Sequence, residues 1–468
     1  MSSLPSGTTS FSKAILWTLA SIVCFHLAYE FEQLRGMILG FLFCLVPLAR
    51  LDTNRKAFYF GLFLGLGIYA PQLSFFWTIF QGAAIALWCV LAFWIALFLL
   101  LSRQALVRLG DRGLFLLPVL WLGLEFFRSE LYYLRFSWLT PGLAFSGTHL
   151  AKVFGLVGVY GIGFGLSAIA VAAWTLPLRP RAILIMLALI GTSLLGGTVQ
   201  PTASDKGSIV QVIGKQMEFP DEDKVPSDLK ALAASNPEAN VFVLSEYTFN
   251  GPVPEKINRW CKQESKYLVV GAHDPAGDDY FNTAFVIGPS GEVVAKQAKS
   301  VPIQFFKDGL PARDQKPWES PWGKIGLGVC YDLSYRKVAD RLAGQQCQAF
   351  IIPTMDVADW GARQHRLHAR IAPMRAAELN IPIFRLCSSG ISQSVQAGGA
   401  VVATAPFPGE GAVLPGKLTL NNPARLPLDH WLGPAAAVTT AILAAVFAVS
   451  AILKRKPSST KAVPLAQS

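Results

Sequence analysis

The sequence predicts a polytopic α-helical membrane domain joined to an α/β domain outside the bilayer. The 468 residues are 52% hydrophobic with a mean hydropathy of +0.40, which is too apolar for a soluble globular chain. About eight apolar runs have the length and composition of membrane helices, seven before residue 200 and one near the C-terminus. Between them, residues 207–425 alternate strand patterns with helical patterns, as α/β domains do.

The membrane helices are predicted from apolar length. Lys13 gives the first run the start of a signal peptide, but no small-residue cleavage site follows, so we interpret it as a membrane helix. The eight runs cover residues 14–29, 36–48, 57–80, 83–101, 114–127, 153–177, 182–195 and 434–453. The predicted domains are a seven-helix membrane domain (1–199), a linker (200–206), an extracytoplasmic catalytic domain (207–425), a C-terminal transmembrane helix (433–453) and a cytoplasmic tail (454–468).

The basic residues define an expected topology. They collect before the first apolar run, in the loops 50–56, 103–112 and 179–181, and after the last run, so they fall on one side of the membrane. The positive-inside rule then places both termini in the cytoplasm and residues 207–425 on the outer face. We therefore interpret the net charge of +11 as reflecting the basic loops on the cytoplasmic side, and not as a nucleic-acid-binding site. The seven cysteines lack paired spacing, so neither a disulfide framework nor a zinc site is indicated.

Three stretches of the α/β domain carry candidate chemistry. Residues 324–329 form an apolar strand pattern that runs into Cys330, where a turn would lift a reactive thiol to the rim of a sheet. Glu246 follows the apolar run 241–244, so poor solvation should raise its pKa toward that of a general base. Lys296 and Lys299 lie on a strand after a turn. The alternatives are a buried inert cysteine, a capping or solvated glutamate and an edge-strand lysine.

In the order Glu, Lys, Cys, these stretches resemble the nitrilase superfamily, which implies an αββα sandwich. The resemblance assigns a catalytic glutamate to Glu246, a catalytic lysine to Lys299 and the nucleophile to Cys330. Lys296 is the rival lysine, but strand alternation puts it on the opposite face. The resemblance also gives neighbouring residues substrate-binding or supporting roles, namely Tyr247, Tyr331 and Asp332.

The arrangement of seven helices, a nitrilase-like domain and a closing helix resembles the apolipoprotein N-acyltransferase family. Residues 121–128 and 136–139 are similar to its Trp, Glu and Arg helix and the following loop, and residues 374–378 to its Met-Arg-Ala-x-Glu helix. Glu125, Arg128 and Trp138 are therefore expected to support the site. Glu125 and Arg128 are also one helical turn apart, so a structural ion pair is an open alternative.

Two segments depart from the family pattern. Residues 301–306 lack the accessory glutamate that the family has near Gln304, and residues 354–361 replace its Ser-Asn-Asp-Ala-Trp-Phe-Gly loop. These departures concern substrate identity more than chemistry. His365 and His368 lie on a basic helix without a carboxylate at ligand spacing, so no metal site is predicted there.

The resemblance implies an N-acyltransferase of the bacterial inner membrane. Its acyl donor would be a membrane phospholipid, its acceptor the N-terminal amine of a lipid-modified lipoprotein, and its intermediate a cysteine thioester. No metal or organic cofactor and no nucleic acid is implied. The alternatives are a membrane-anchored nitrilase-type amidase acting on a small amide, and a scaffold without chemistry.

Overall fold

The computed structural model describes residues 8–195, 197–201 and 207–453. Most of the predicted linker and the whole predicted tail therefore lie outside the described residues.

Every apolar run of the N-terminal half is helical. Two of the runs are not regular α-helices throughout, and the helix of the run 83–101 continues to Leu109. The run 57–80 is broken near Ser74, shortly after Pro71, and the run 114–127 begins in a 3₁₀ turn and ends in a π turn, Phe127–Leu131. The helices are α1 (Phe11–Glu30), α2 (Met37–Leu48), α3 (Asn54–Gln72), α4 (Phe75–Phe80), α5 (Ala83–Leu109), α6 (Leu117–Phe126), α7 (Ala151–Thr175) and α8 (Leu178–Leu195).

Within the described residues, four helical stretches are long and apolar enough to cross a membrane, Phe11–Glu30, Ala83–Leu131, Ala151–Thr175 and Asp429–Leu453. The second of these stretches joins two predicted runs. Helix α2 has 12 residues and is about 18 Å long, which is less than the bilayer core of about 30 Å. The chain thus has helices with the length and apolarity that a membrane domain requires, and the predicted number of crossings stays a prediction.

The α/β domain contains two six-stranded sheets of mixed direction. Each has three parallel strands at its centre and antiparallel strands at its edges. The first sheet, in the order β12-β1-β2-β3-β4-β5, comprises β1 (Ser208–Lys215), β2 (Val241–Leu244), β3 (Tyr267–Ala276), β4 (Asp279–Ile287), β5 (Val293–Ala298) and β12 (Val413–Leu420). The second, in the order β11-β10-β9-β8-β7-β6, comprises β6 (Trp318–Ser320), β7 (Gly323–Leu327), β8 (Ala349–Thr354), β9 (Ile383–Cys387), β10 (Gln393–Val395) and β11 (Val401–Thr404).

The sheets pack face to face between helices, which confirms the predicted αββα sandwich. Val241 and Val243 point into the apolar core between the sheets, whereas Phe242 and Leu244 contact the outer helices, as the two-residue period of a strand requires. Helices α9 (Val225–Ser235) and α10 (Glu255–Glu264) cover the first sheet; α11 (Arg336–Gly344), α12 (Gly361–Ala369) and α13 (Ile371–Leu379) lie on the side of the second. The sequence pattern of residues 364–379 is helical, and in the structure a turn at Arg370 divides this stretch between α12 and α13.

The α/β domain is fixed to the membrane helices through a kink in α7. Gly158 has φ +76°, and the kink frees two backbone N–H groups. Those of Val159 and Tyr160 donate to Glu378 Oε1 at 2.6 Å and to Asp429 Oδ2 at 3.1 Å. Asp429 begins the C-terminal helix α14 (Asp429–Leu453), so α7, α13 and α14 meet at one buried polar junction.

Candidate active site

Glu246 lies two residues beyond the end of β2 and is buried, with 2% of its surface exposed. Its Oε1 atom accepts hydrogen bonds from Lys299 Nζ at 2.8 Å and Asn282 Nδ2 at 2.6 Å, and its Oε2 atom accepts one from the Met355 N–H at 2.6 Å. Burial raises the pKa of Glu246, and Lys299 opposes that shift. A carboxylate held this way combines the fixed geometry and the raised pKa that a general base requires.

Lys299 directly follows β5, and its side chain is 1% exposed. The ammonium lies between two carboxylates, 2.8 Å from Glu246 Oε1 and 2.7 Å from Asp308 Oδ2. Burial acts to lower the pKa of Lys299, but the two carboxylates outweigh it and hold the pKa well above its ordinary value. Lys296 instead points outward and pairs with Asp274 at 2.6 Å. The structure thus places the two lysines on opposite sides of the strand.

Cys330 lies just beyond β7 and opens the 3₁₀ turn Cys330–Ser334. Its φ of +52° is a left-handed conformation that costs a non-glycine residue energy and is typical of functional turns. The Sγ atom lies 3.6 Å from the carbonyl oxygen of Met355, the residue whose N–H binds Glu246. Burial and then the Glu246 carboxylate raise the pKa of Cys330, with Lys299 opposing them, so the resting group is a thiol.

Asp332 ties the loop after Lys299 to the turn of Cys330. Its carboxylate accepts hydrogen bonds from the backbone N–H groups of Ser300 and Val301 at 2.8–3.1 Å and of Val329 at 3.1 Å. It therefore orients the lysine and the cysteine without touching either side chain.

Asp308 is a site residue that the sequence reasoning missed. Besides contacting Lys299, it accepts hydrogen bonds from the Tyr247 hydroxyl at 2.6 Å, from Asn282 Nδ2 at 2.9 Å and from the Ile303 N–H at 2.6 Å. A carboxylate thus stands beside the lysine although none occupies position 304. The signal was present in the sequence as an acidic residue after the departing segment 301–306.

A cavity lies between the membrane helices and the α/β domain and reaches Cys330. The Trp138 indole stacks on the His368 ring at 4.9 Å and donates to Ser334 Oγ at 3.0 Å, and the Tyr331 ring lies 6.1 Å from it. The membrane-domain side of the cavity is mostly aromatic and aliphatic, formed by Phe75, Phe76, Ile79, Phe80, Leu87, Val90, Leu91, Leu134, Arg135, Phe136 and Trp138. The cavity therefore offers an apolar route to the thiol.

Asp356 is a second missed residue, and it faces the same cavity. Its carboxylate accepts hydrogen bonds from Arg385 Nη2 at 2.6 Å and from Gln364 Nε2 at 3.0 Å. It is also within hydrogen-bond distance of His368 Nδ1, at 2.8 Å. Although burial acts to raise it, the pKa of Asp356 is held well below its ordinary value by its hydrogen bond with His368 and by the Arg385 guanidinium. Burial lowers the pKa of His368 to about 4, so this imidazole is neutral at neutral pH.

Glu125 and Arg128 do not line the cavity. Arg128 Nη1 donates to the Phe136 carbonyl at 3.0 Å, and its guanidinium lies over the Tyr69 ring at 5.7 Å. Arg128 therefore supports the loop that leads to Trp138. No ion pair joins Glu125 to Arg128 among the described residues, and both Glu125 carboxylate oxygens are buried without a hydrogen-bond partner.

Comparisons with known proteins agree with this architecture. Residues 20–172 match the apolipoprotein N-acyltransferase N-terminal domain, and residues 231–420 match the carbon-nitrogen hydrolase family. The apolipoprotein N-acyltransferase of Geobacter metallireducens is 23% identical to this chain, and the match covers 79% of this chain and 82% of the relative. That of Shewanella oneidensis is 25% identical, and the match covers 76% of this chain and 80% of the relative. Omega-amidase NIT2 of Mus musculus is 30% identical over 22% of this chain and 41% of its own.

The two family matches occur in one chain, in the order membrane domain then α/β domain, and the bacterial relatives extend across both. A nitrilase-type domain alone would account only for the second match. The chain is therefore similar to the apolipoprotein N-acyltransferases across both of its domains.

Proposed function

We propose that this protein transfers a fatty acyl chain from a membrane phospholipid to the N-terminal amine of the lipid-modified cysteine of lipoproteins. The observation that carries the proposal is the buried cluster of Glu246, Lys299 and Cys330 at the end of an apolar cavity that membrane helices help to form. A long acyl chain can then reach the thiol without entering water, which would cost about 0.8 kcal/mol per CH₂ group.

In the first half-reaction, Glu246 accepts the proton of the Cys330 thiol and the sulfur attacks the ester carbonyl of the phospholipid. The Lys299 ammonium and nearby backbone N–H groups stabilise the oxyanion. The carbon–oxygen bond breaks, the leaving oxygen takes the proton from Glu246, and a lysophospholipid departs. An acyl thioester remains on Cys330.

In the second half-reaction, the amine of the lipoprotein attacks the thioester and gives its proton to Glu246. The carbon–sulfur bond breaks, an amide forms, and the thiolate regains a proton from Glu246. Lys299 keeps its proton throughout, because its two carboxylate neighbours favour the charged form. The apolar lining around Trp138 and Phe136 would protect the thioester from hydrolysis.

We infer that the protein lies in the bacterial inner membrane together with its substrates, which the long apolar helices and the similarity to bacterial apolipoprotein N-acyltransferases support. We further propose that residues 207–425 lie on the outer face with both termini in the cytoplasm, which the alternating basic loops support. A reporter enzyme fused after Gly207 should behave as extracytoplasmic. Cytoplasmic behaviour would refute the topology and would remove access to exported lipoproteins.

The test of function uses the purified full-length protein and a phospholipid with a labelled acyl chain. We expect a hydroxylamine-sensitive acyl thioester that persists until a lipopeptide with a free N-terminal amine is added. Cys330→Ala and Glu246→Gln should form none, whereas Cys261→Ala, which removes another buried thiol, should behave like the wild type.

The alternative is an amidase, which the similarity to omega-amidase favours. It predicts that the protein hydrolyses a small soluble amide efficiently and loses any acyl label to water without an acceptor. Either result would overturn the acyltransferase proposal.

A further inference from the structure

A second cavity lies between the end of α1 and the helices α12 and α13 of the α/β domain. Four of its lining residues are arginines: Arg35, Arg363, Arg366 and Arg370. This arginine pocket shares no lining residue with the cavity that reaches Cys330, so it is a separate site.

Two acidic residues of the pocket neutralise two of these arginines. Glu32 pairs with Arg35 at 3.2 Å, and Glu30 pairs with Arg363. Among the described residues, no acidic side chain lies within ion-pair distance of Arg366 or Arg370. The pocket therefore carries an excess of two positive charges.

Arg370 is the most constrained of the four. Its Nη2 atom donates to the Tyr29 carbonyl at 2.8 Å, and the guanidinium lies 4.9 Å from the centre of the Tyr29 ring. Its Nη1 atom is buried without a hydrogen-bond partner. Burial also lowers the pKa of Arg370. Arg370 as a whole is half-buried, but a buried donor without a partner is costly unless an anion completes its shell, and arginine donors match phosphate oxygens.

The pocket lies where a lipid headgroup would lie. Helix α1, which is long and apolar enough to cross a membrane, ends at Glu30, and the following turn exposes the apolar side chains of Phe31 and Leu34. Exposed apolar side chains at the end of a membrane helix mark the boundary between acyl chains and headgroups. At this depth, the phosphate of a lipid headgroup is a more suitable ligand than a free phosphate ion.

We propose that the arginine pocket binds the phosphodiester of a phospholipid headgroup, with Arg370 and Arg366 as its principal donors. The bound lipid is distinct from the acyl donor at Cys330. This proposal does not rest on the proposed function, since it concerns binding at a separate cavity.

Native mass spectrometry of the full-length protein tests it, in a Cys330→Ala background so that no lipid is consumed. The probes are dioleoylphosphatidylglycerol, dioleoylglycerol with the same chains but no phosphate, and inorganic phosphate. Arg366→Gln and Arg370→Gln should each weaken the binding of one phosphatidylglycerol about tenfold. Arg259→Gln, an exposed arginine on α10, is the matched control and should not change binding.

Because Arg366 is exposed, its variant should fold even if Arg370→Gln does not. Unchanged lipid binding in Arg366→Gln would overturn the proposal. So would equal binding of dioleoylglycerol, or arginine-dependent binding of inorganic phosphate without arginine-dependent binding of the lipid.

Discussion

Replacing Asp308 by asparagine removes one of the two carboxylates that hold the Lys299 ammonium, while an amide of the same shape remains. With 2.7 Å between Lys299 Nζ and Asp308 Oδ2, an effective dielectric constant of about 20 gives an attraction of about 6 kcal/mol. Desolvation offsets part of this, and breaking a buried pair typically costs about 3–5 kcal/mol. We expect Asp308→Asn to destabilise the protein by an amount near the lower end of this range, because the amide oxygen can still accept the hydrogen bond from Tyr247.

The same change should move the pH profile of thioester formation. The negative charge of Asp308 helps to raise the pKa of Glu246, so its removal lowers that pKa and moves the acidic limb to lower pH. Lys299 also loses a stabilising carboxylate, so its pKa falls and the alkaline limb moves the same way. Because Glu246 becomes a weaker base, the rate at pH 7 should fall about 100-fold.

The assay is the initial rate of acyl-thioester formation from labelled phospholipid between pH 5 and 10, with thermal unfolding of the same samples in detergent. Asp314→Asn, an exposed aspartate of the same loop, is the matched control and should change neither quantity. An unchanged rate and profile in a folded Asp308→Asn protein would refute the role given to this carboxylate. A profile displaced to higher pH would refute the electrostatic argument.

Three further predictions follow from the site and the domain junction. Lys299→Ala should abolish thioester formation, whereas Lys296→Ala should keep most of it because that side chain is half exposed and lies on the other side of the strand; the reverse result would show that the lysines are wrongly assigned. Trp138→Ala should slow reaction with a long-chain phospholipid at least tenfold more than with a short-chain ester, because the indole lines the apolar cavity, and equal losses would contradict that role. Gly158→Ala should destabilise the protein by more than about 2 kcal/mol, since its φ is positive and a Cβ there would lie 2.0 Å from the α14 aspartate. Gly165→Ala, whose added Cβ would lie in open space on the same helix, should not destabilise the protein. Equal unfolding temperatures of the Gly158→Ala and Gly165→Ala proteins would contradict the prediction.

The architecture could be predicted from local patterns in the sequence. A long apolar run favours a helix because a bilayer leaves the backbone no other way to satisfy its hydrogen bonds, and the predicted runs are helical, with a break near Ser74 in the run 57–80. The short alternating runs of residues 207–425 predicted buried strands, since side chains alternate between sheet faces. Glu246 and Cys330 were singled out for a related reason, because each stands where an apolar strand pattern becomes polar.

The surroundings of these residues depend on contacts between distant parts of the chain. The contact between Asp308 and Lys299 and the approach of Asp356 to the cavity depend on how loops from different strands converge, which no local period records. The unpaired Glu125 shows the same limit, since helical spacing permits an ion pair that the packing around Arg128 does not form. The cavity at Cys330 is lined by residues of both domains, and the sequence of neither domain predicts which residues of the other it will face. Periodicity reports which face of an element is buried, and the fold alone fixes which partner buries it.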